Sequence, residues 1–186
     1  MIQKQYQSKR LLLTKSAPDL APEVCKYFIR NKDFFEQYDV KRADEFFTTE
    51  YHERELVTDQ KNSDKLVGIR FWLMYRGESR IIGMIALTGI LFGAFYSAFL
   101  SYKLDKDELN KGIMTEALSV IIPIAFDELN LHRLEANIMP SNQASIRVVE
   151  KLGFYQEGYS KEYLFINGSW RDHIHMVLIN ENWNQD

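Results

Sequence analysis

Residues 99–118 read FLSYKLDKDELNKGIMTEAL, and this stretch decides the fold. Residues 99–104 predict a β-strand, residues 105–111 a loop, and the residues from Gly112 onward a helix. The first N–H groups of a helix lack partners within it, and the helix dipole adds about half a positive charge there. Gly112 has no Cβ to keep an anion away and Lys111 adds a full charge, so the segment predicts a phosphate cradle. An ordinary loop, in which the glycine only eases chain reversal, is the open alternative.

On both sides of this stretch the pattern alternates between strands and helices. It predicts strands at 8–14, 66–75, 80–87, 96–104, 132–139, 154–166 and 170–179, and helices at 18–30, 42–60, 112–129 and 143–152. Asn167-Gly168 is a strong hairpin signal between the last two strands. This order predicts a mixed α/β or α+β sheet in a single domain over residues 1–186.

Composition excludes several classes of protein. The chain has 186 residues, of which 46% are hydrophobic and 26% charged, as in an ordinary globular domain. A net charge of -3 supplies no basic field for a nucleic acid. The single cysteine, Cys25, permits no intramolecular disulfide and no cysteine-based zinc site. No window approaches 18 apolar residues, so we expect no membrane span and a cytoplasmic protein.

Two further segments, the helix 143–152 and the last strand, contain candidate functional residues. The helix 143–152 is capped by Ser141 or Asn142, and its residues Ala144, Val148 and Leu152 repeat every four positions, which predicts a core-facing stripe. Packing and capping leave the hydroxyl of Ser145 unexplained. His173 and His175 share one strand face, but without a third ligand we expect hydrogen bonds in the sheet and no metal.

The ordered motifs resemble the GNAT acetyltransferases and, within them, the branch of ribosomal-protein-alanine N-acetyltransferases, RimJ and RimL. The motifs are Thr-Glu-Ala-Leu at 115–118, Leu-His-Arg-Leu-Glu-Ala at 131–136, Pro-x-Asn-x-x-Ser at 140–145, Glu-Lys-Leu-Gly-Phe-x-x-Glu-Gly at 150–158 and Asn-Gly-x-Trp-x-Asp-His at 167–173. The resemblance implies a mixed, mostly antiparallel sheet of about seven strands flanked by about four helices. Strands 96–104 and 132–139 would be a parallel pair that splays apart.

The resemblance also implies acetyl-CoA as co-substrate and no metal. Backbone groups of Tyr102, Lys103 and Leu104 would pair with pantetheine. The pyrophosphate would lie on the segment made of Leu109, Asn110, Lys111, Gly112, Ile113 and Met114, with Asn142 as a further contact. Asp107 and Asn110 depart from the family's loop pattern, and we expect Asp107 to point to solvent.

Direct acyl transfer needs an acid for the leaving thiolate and a base for the amine. The tyrosine that many relatives use as the acid falls near Val149 here and is missing, so the resemblance points to Ser145. Asp39 is the first candidate base, with Glu36, His173 or a water chain as alternatives. Asp39 could equally hold the acceptor ammonium or be a solvated loop residue.

The acceptor implied by the resemblance is the N-terminal α-amine of a protein or peptide, possibly of a ribosomal protein. A small amine such as a polyamine, amino sugar or antibiotic is the alternative, and a non-catalytic acyl-CoA-binding module is another. A polyamine site would need carboxylates, for which Glu36, Asp39, Asp44, Glu45 and Glu157 are available. Aromatic residues, 13% of the chain, cluster at 34–51 and 155–170, which would flank the acceptor entrance. The family contains monomers and homodimers, and both remain open.

Overall fold

A computed structural model describes residues 2–184, which form one mixed sheet with helices on both faces. Within this range the eight strands are β1 (Gln5–Gln7), β2 (Leu11–Lys15), β3 (Gly68–Tyr75), β4 (Ile81–Leu91), β5 (Ser97–Leu104), β6 (Arg133–Ile138), β7 (Tyr155–Ile166) and β8 (Ser169–Ile179). Their order is β1-β2-β3-β4-β5-β6-β8-β7. Among these strands β5 and β6 are parallel and the other neighbours antiparallel. The predicted fold class is therefore confirmed, with one strand more than expected.

The α-helices of residues 2–184 are α1 (Ala21–Arg30), α2 (Lys32–Glu36), α3 (Thr49–Asp64), α4 (Ile113–Pro123) and α5 (Gln143–Glu150). α1 and α3 cover one face of the sheet, where Tyr27, Leu56 and Trp72 are buried together. α4 and α5 cover the other face with the larger core cluster. No helix in this range is long and apolar enough to cross a membrane.

Two predicted boundaries in the N-terminal third of the chain were wrong for local reasons. The first predicted strand, 8–14, begins only at Leu11 as β2, because the residues before it form a turn in which the Ser8 N–H donates to the Leu11 carbonyl at 3.0 Å. The additional strand, β1, lies before this turn and was not predicted. The helix predicted from residue 42 begins at Thr49, because Thr48 caps it through its hydroxyl, which accepts from the Tyr51 N–H. The preceding aromatic residues form a short 3-10 turn, Asp44–Phe47.

The helix that follows the quoted stretch is also shorter than predicted. Regular α-helix ends at Pro123, and a π-helical turn, Ile124–Glu128, continues the chain. Proline has no N–H with which to bond the carbonyl four residues earlier, so the regular ladder stops there. The N-terminal half of α4, which faces the predicted phosphate cradle, remains regular.

Candidate active site

The central feature of the site is the separation of β5 from β6. The two strands pair at Ser97–Arg133, Ala98–Leu134 and Phe99–Glu135 and then diverge. A cavity of about 530 Å³ opens between them, lined by residues 100–104 of β5 and residues 136–139 along and just after β6. Strand backbone that faces a cavity instead of a neighbouring strand offers N–H and C=O groups to an extended ligand. The predicted splayed parallel pair is therefore present in the structure.

Tyr102 projects from β5 toward α5 and contacts Ser145. The Tyr102 hydroxyl lies 2.6 Å from Ser145 Oγ and donates to the Ser145 carbonyl at 3.0 Å. Burial raises the pKa of Tyr102 to about 12, against a smaller lowering by its bond to Ser145. The phenol is therefore protonated at neutral pH, and two neutral hydroxyls form a pair at the edge of the cavity.

Asn142 positions Ser145 by capping α5. Its side-chain oxygen accepts the Ser145 N–H at 3.2 Å. This bond satisfies a free N–H of the first helical turn and fixes the start of the helix beside β5. Asn142, Ser145 and Tyr102 all line the cavity, which brings these three predicted site residues together.

Lys103, the next residue of β5, points to the opposite face and forms an ionic cluster. Its Nζ donates to Asp39 Oδ2, and Arg42 donates to Asp39 Oδ1 at 3.1 Å. Burial acts to raise the pKa of Asp39, but Lys103 and Arg42 together bring that pKa below its usual value. Burial lowers the pKa of Lys103, although Asp39 opposes this. Asp39 is consequently a weak proton acceptor at neutral pH.

The loop before α4 has the backbone of an anion cradle. Asn110 and Gly112 adopt left-handed conformations, with φ of 61° and 70°, which glycine and asparagine tolerate better than other residues. Leu109, Asn110 and Gly112, followed by Ile113 and Met114 of α4, line the cavity beside residues 100–104 of β5. The predicted pyrophosphate segment therefore adjoins the predicted pantetheine strand.

The charge of Lys111, which the sequence pattern assigned to the phosphate cradle, has a different partner in the structure. Lys111 Nζ donates to Glu108 at 3.0 Å, so its charge is already paired with a carboxylate. Among residues 2–184, Lys111 does not belong to those that line the cavity. Asp107 is 62% exposed and points to solvent, as the sequence predicted.

Two cations, one on α5 and one at its C-cap, were missed. Arg147 and Lys151 line the cavity with Ala144 and Val148, a stripe with the spacing i, i+3, i+4 and i+7 of one helix face. The predicted core stripe is confirmed in part: Val148 and Leu152 are half-buried and pack against the core, whereas Ala144 is exposed, and the fully buried residues of α5 are Ile146 and Val149. The signal in the sequence was a stripe on one helix face that contains small, apolar and basic residues. Basic residues are expected on a helix face that binds an anionic ligand, but not on a face that packs in the core.

His173 also lines the cavity. Its ring is buried and lies 5.5 Å from that of Tyr163, centroid to centroid. Phe34, Phe35 and Tyr38 close the same side of the cavity, so part of the first aromatic cluster reaches the site. On the terminal hairpin Tyr155, Tyr159, Phe165 and Trp170 are exposed and do not line the cavity, so the expectation that the second aromatic cluster flanks the acceptor entrance stays a prediction.

Comparison with known proteins agrees with this geometry. The model of the acetyltransferase (GNAT) domain matches residues 10–155. The probable N-acetyltransferase YjcK of Bacillus subtilis is 41% identical over 150 residues, which are 81% of this chain and 83% of that protein.

Solved structures of acetyltransferases share this fold. The ribosomal-protein-S5-alanine acetyltransferase from Vibrio fischeri superposes with a TM-score of 0.93 and 31% identity, over 97% of this chain and 99% of that one. Mycobacterium smegmatis RimJ in complex with CoA-disulfide shares the fold, with a TM-score of 0.87 and 23% identity over 95% of this chain and 85% of that one.

A sheet that opens between two parallel strands, next to a helix N-terminus, defines an acyltransferase site, and the chain belongs to the GNAT acetyltransferase family. It is an acetyltransferase of the Rim type, since its relatives and structural neighbours include ribosomal-protein-alanine acetyltransferases. The resemblance read from the sequence motifs is thus confirmed.

Proposed function

We propose that this protein acetylates the N-terminal α-amine of a protein or peptide, with acetyl-CoA as the acetyl donor. The observation that carries the proposal is the Tyr102–Ser145 hydroxyl pair at the opening between β5 and β6. The pair lies on the face of α4 and α5, next to the anion cradle. An acid placed there would meet a thiol whose phosphates lie at the N-terminus of α4.

The residues around the cavity fit acetyl-CoA. The edge of β5 at Tyr102, Lys103 and Leu104 can pair with pantetheine, and the loop of Leu109, Asn110 and Gly112 can hold the pyrophosphate. Arg147 and Lys151 supply positive charge to the same cavity. When bound, acetyl-CoA supplies the acetyl group as a thioester.

In this proposal Ser145 gives a proton to the departing sulfur. The Tyr102 hydroxyl has two acceptors within reach, the carbonyl and Oγ of Ser145. Turned toward Oγ, it stabilises the charge that develops there when Ser145 gives up its proton. Asn142 keeps Ser145 in place through the helix cap.

The acceptor side favours an α-amine over a polyamine. A polyamine site needs free carboxylates at the reaction cavity, but Asp39 is paired with Lys103 and Arg42, and Glu157 accepts from Arg133 at 2.9 Å. Of the other three candidates, Glu45 is paired with Arg54, and Glu36 and Asp44 line a smaller neighbouring cavity. An α-amine has a pKa near 8 and is partly neutral at pH 7. An α-amine therefore needs a weaker general base in the site than a lysine side chain does.

We take the partner to be a ribosomal protein N-terminus, which would place the protein in the cytoplasm, acting as a single domain. The hydroxyl pair on the thiol side of the cavity counts against a purely acyl-CoA-binding module, which would need no acid.

The test is a thiol-release assay with acetyl-CoA against an N-terminal alanyl peptide, the same peptide with a formylated N-terminus, and spermidine. We expect release with the free peptide only, with mass spectrometry locating the acetyl group on its α-amine. Thiol release with spermidine alone would show that the acceptor is a small amine and would overturn the proposal of a protein N-terminus. CoA binding by calorimetry without release from any amine would instead identify a binding module.

A further inference from the structure

His173 is a buried imidazole on the wall of the reaction cavity. Its residue is 4% exposed, yet it is part of the cavity lining together with Ser145. A buried polar ring is stable when its nitrogen atoms have partners, or when one of them faces a ligand. The surroundings of the two ring nitrogens therefore decide what His173 can do.

The strand register places His173 on the acceptor side of the sheet. Asn137 of β6 pairs with His175 of β8, so these two share a face, and His173 lies two residues away on that same face. Lys103 points to this face as well, whereas Tyr102 points to the other. An amine entering from the side of Lys103 and His173 would approach the thioester opposite the hydroxyl pair.

One ring nitrogen is committed to the backbone. His173 Nδ1 lies 3.0 Å from the Arg171 carbonyl, which can only accept. Nδ1 therefore carries the hydrogen, and in the neutral ring the lone pair is on Nε2. Among residues 2–184 no group makes a hydrogen bond to Nε2.

The surroundings of the ring also favour its neutral form. Burial lowers the pKa of His173 below its usual value, and the nearby His175 acts in the same direction. The Arg171 carbonyl and Asp172 oppose this without reversing it. From β7 the facing group is the ring of Tyr163, and from β5 the cation of Lys103 lines the same cavity. Neither adds a negative charge that would hold a proton on the imidazole.

The two carboxylates considered from sequence are less suitable. Asp39 is bonded to Lys103 and Arg42, which lower its pKa. Glu36 is exposed and lines a smaller neighbouring cavity instead of the one that holds Ser145. His173 combines a free lone pair with a position in the reaction cavity.

We infer that His173 is the general base of the transfer and takes a proton from the acceptor ammonium at Nε2. The inference rests on the proposed function. As the amine nitrogen–carbonyl carbon bond forms, the carbon–sulfur bond breaks and Ser145 protonates the sulfur. The second proton lost by the amine restores Ser145. The proton on His173 passes to solvent, so each turnover releases one proton, a free thiol and the amide.

The test compares the pH dependence of kcat/KM in the wild type and His173→Gln, with the N-terminal alanyl peptide as acceptor. The wild type should be flat between about pH 6.5 and 8 and fall at lower pH, as the imidazole takes up a proton. His173→Gln should lose about 10²-fold at pH 7. Its kcat/KM should rise about tenfold per pH unit toward the α-amine pKa near 8, because only the free amine then reacts.

Controls separate this role from a structural one. His175→Gln, on the same face two residues away, should keep turnover and the shape of the wild-type profile, with the acid limb moved slightly to higher pH because His175 lowers the pKa of His173. Added imidazole should restore turnover to His173→Ala, and the dissociation constant for CoA should be unchanged in all variants. A wild-type pH profile in His173→Gln, or a pH-independent loss with weakened CoA binding, would overturn the base assignment. A wild type that acetylates no peptide would instead overturn the proposed function.

Discussion

Tyr102 and Lys103 are neighbours on one strand, and their surroundings are opposite in character. Tyr102 meets an uncharged hydroxyl of α5, whereas Lys103 meets a carboxylate and, beyond it, the guanidinium of Arg42. Burial acts on both, keeping the phenol protonated and lowering the pKa of the ammonium. A single opened strand therefore separates a neutral acid side from a charged acceptor side, and each side can be tested by itself.

The largest effect is expected from Ser145→Ala, which removes the proton donor on the neutral side. Turnover should fall about 10²- to 10³-fold, in the range of general-acid contributions, while CoA binding measured by calorimetry stays unchanged. Tyr102→Phe should cost less, roughly tenfold, because Ser145 keeps its own proton. Ser141→Ala, in the exposed turn just before α5, is the matched control and should behave as the wild type. Lost CoA binding with normal turnover in Ser145→Ala would reject the acid role.

Gly83→Ala should disturb both sides at once by displacing β5. A Cβ on Gly83 would lie 2.9 Å from the Lys103 carbonyl and 3.1 Å from Leu73. Overpacking of this kind costs roughly 1–3 kcal/mol of unfolding free energy, measurable by urea denaturation. Gly68→Ala in β3 is the control, since its Cβ would meet neighbours no closer than 3.5 Å. Equal stability of the two variants would show that β5 is not closely held against β4.

Asp39→Asn tests the charged side through its pH dependence. The folded-state pKa of Asp39 is below the ordinary value of 3.8, so its contribution to stability is present above that pH and is lost as pH falls through the folded pKa. At pH 7 the variant should lose about 1–2 kcal/mol, because Lys103 is left without its carboxylate. The difference from wild type, followed by denaturation at several pH values, should shrink in acid. A constant difference would contradict the ionic origin.

The smallest effect is expected from Asp107→Asn at the phosphate end. Asp107 is 62% exposed and its carboxylate is 4.0 Å from Arg80, a surface pair of the kind that contributes about 0–1 kcal/mol. CoA affinity should stay within about twofold of wild type. Arg147→Gln, which removes a cation that lines the cavity, should weaken CoA binding by about fivefold to tenfold. If Asp107→Asn changed CoA affinity more than Arg147→Gln, the phosphates of CoA would lie near Asp107 and not near Arg147.

Much of this site could be predicted from local patterns. Gly112 at a helix start, Asn142 three residues before Ser145, and the alternation of β5 each describe contacts between near neighbours in the chain. Arg147 and Lys151 could have been included by counting helix positions from Ala144. By contrast, the pairing of Lys111 with Glu108 could not be distinguished from a phosphate contact, because a lysine side chain reaches either partner.

The sequence by itself determined the strands, the helices and their ends, which follow from periodicity, glycine placement and caps that act over a few residues. The family, and with it the opened parallel pair and the choice of Ser145, followed from the resemblance carried by the ordered motifs. The tertiary structure decided which side chains meet: Tyr102 with Ser145, 43 positions apart, and Lys103 with Asp39, 64 apart. It also decided that His173 is buried on the wall of the same cavity, where burial lowers its pKa. Burial and charge pairing depend on packing between distant segments, and these set the protonation state on which the chemistry depends.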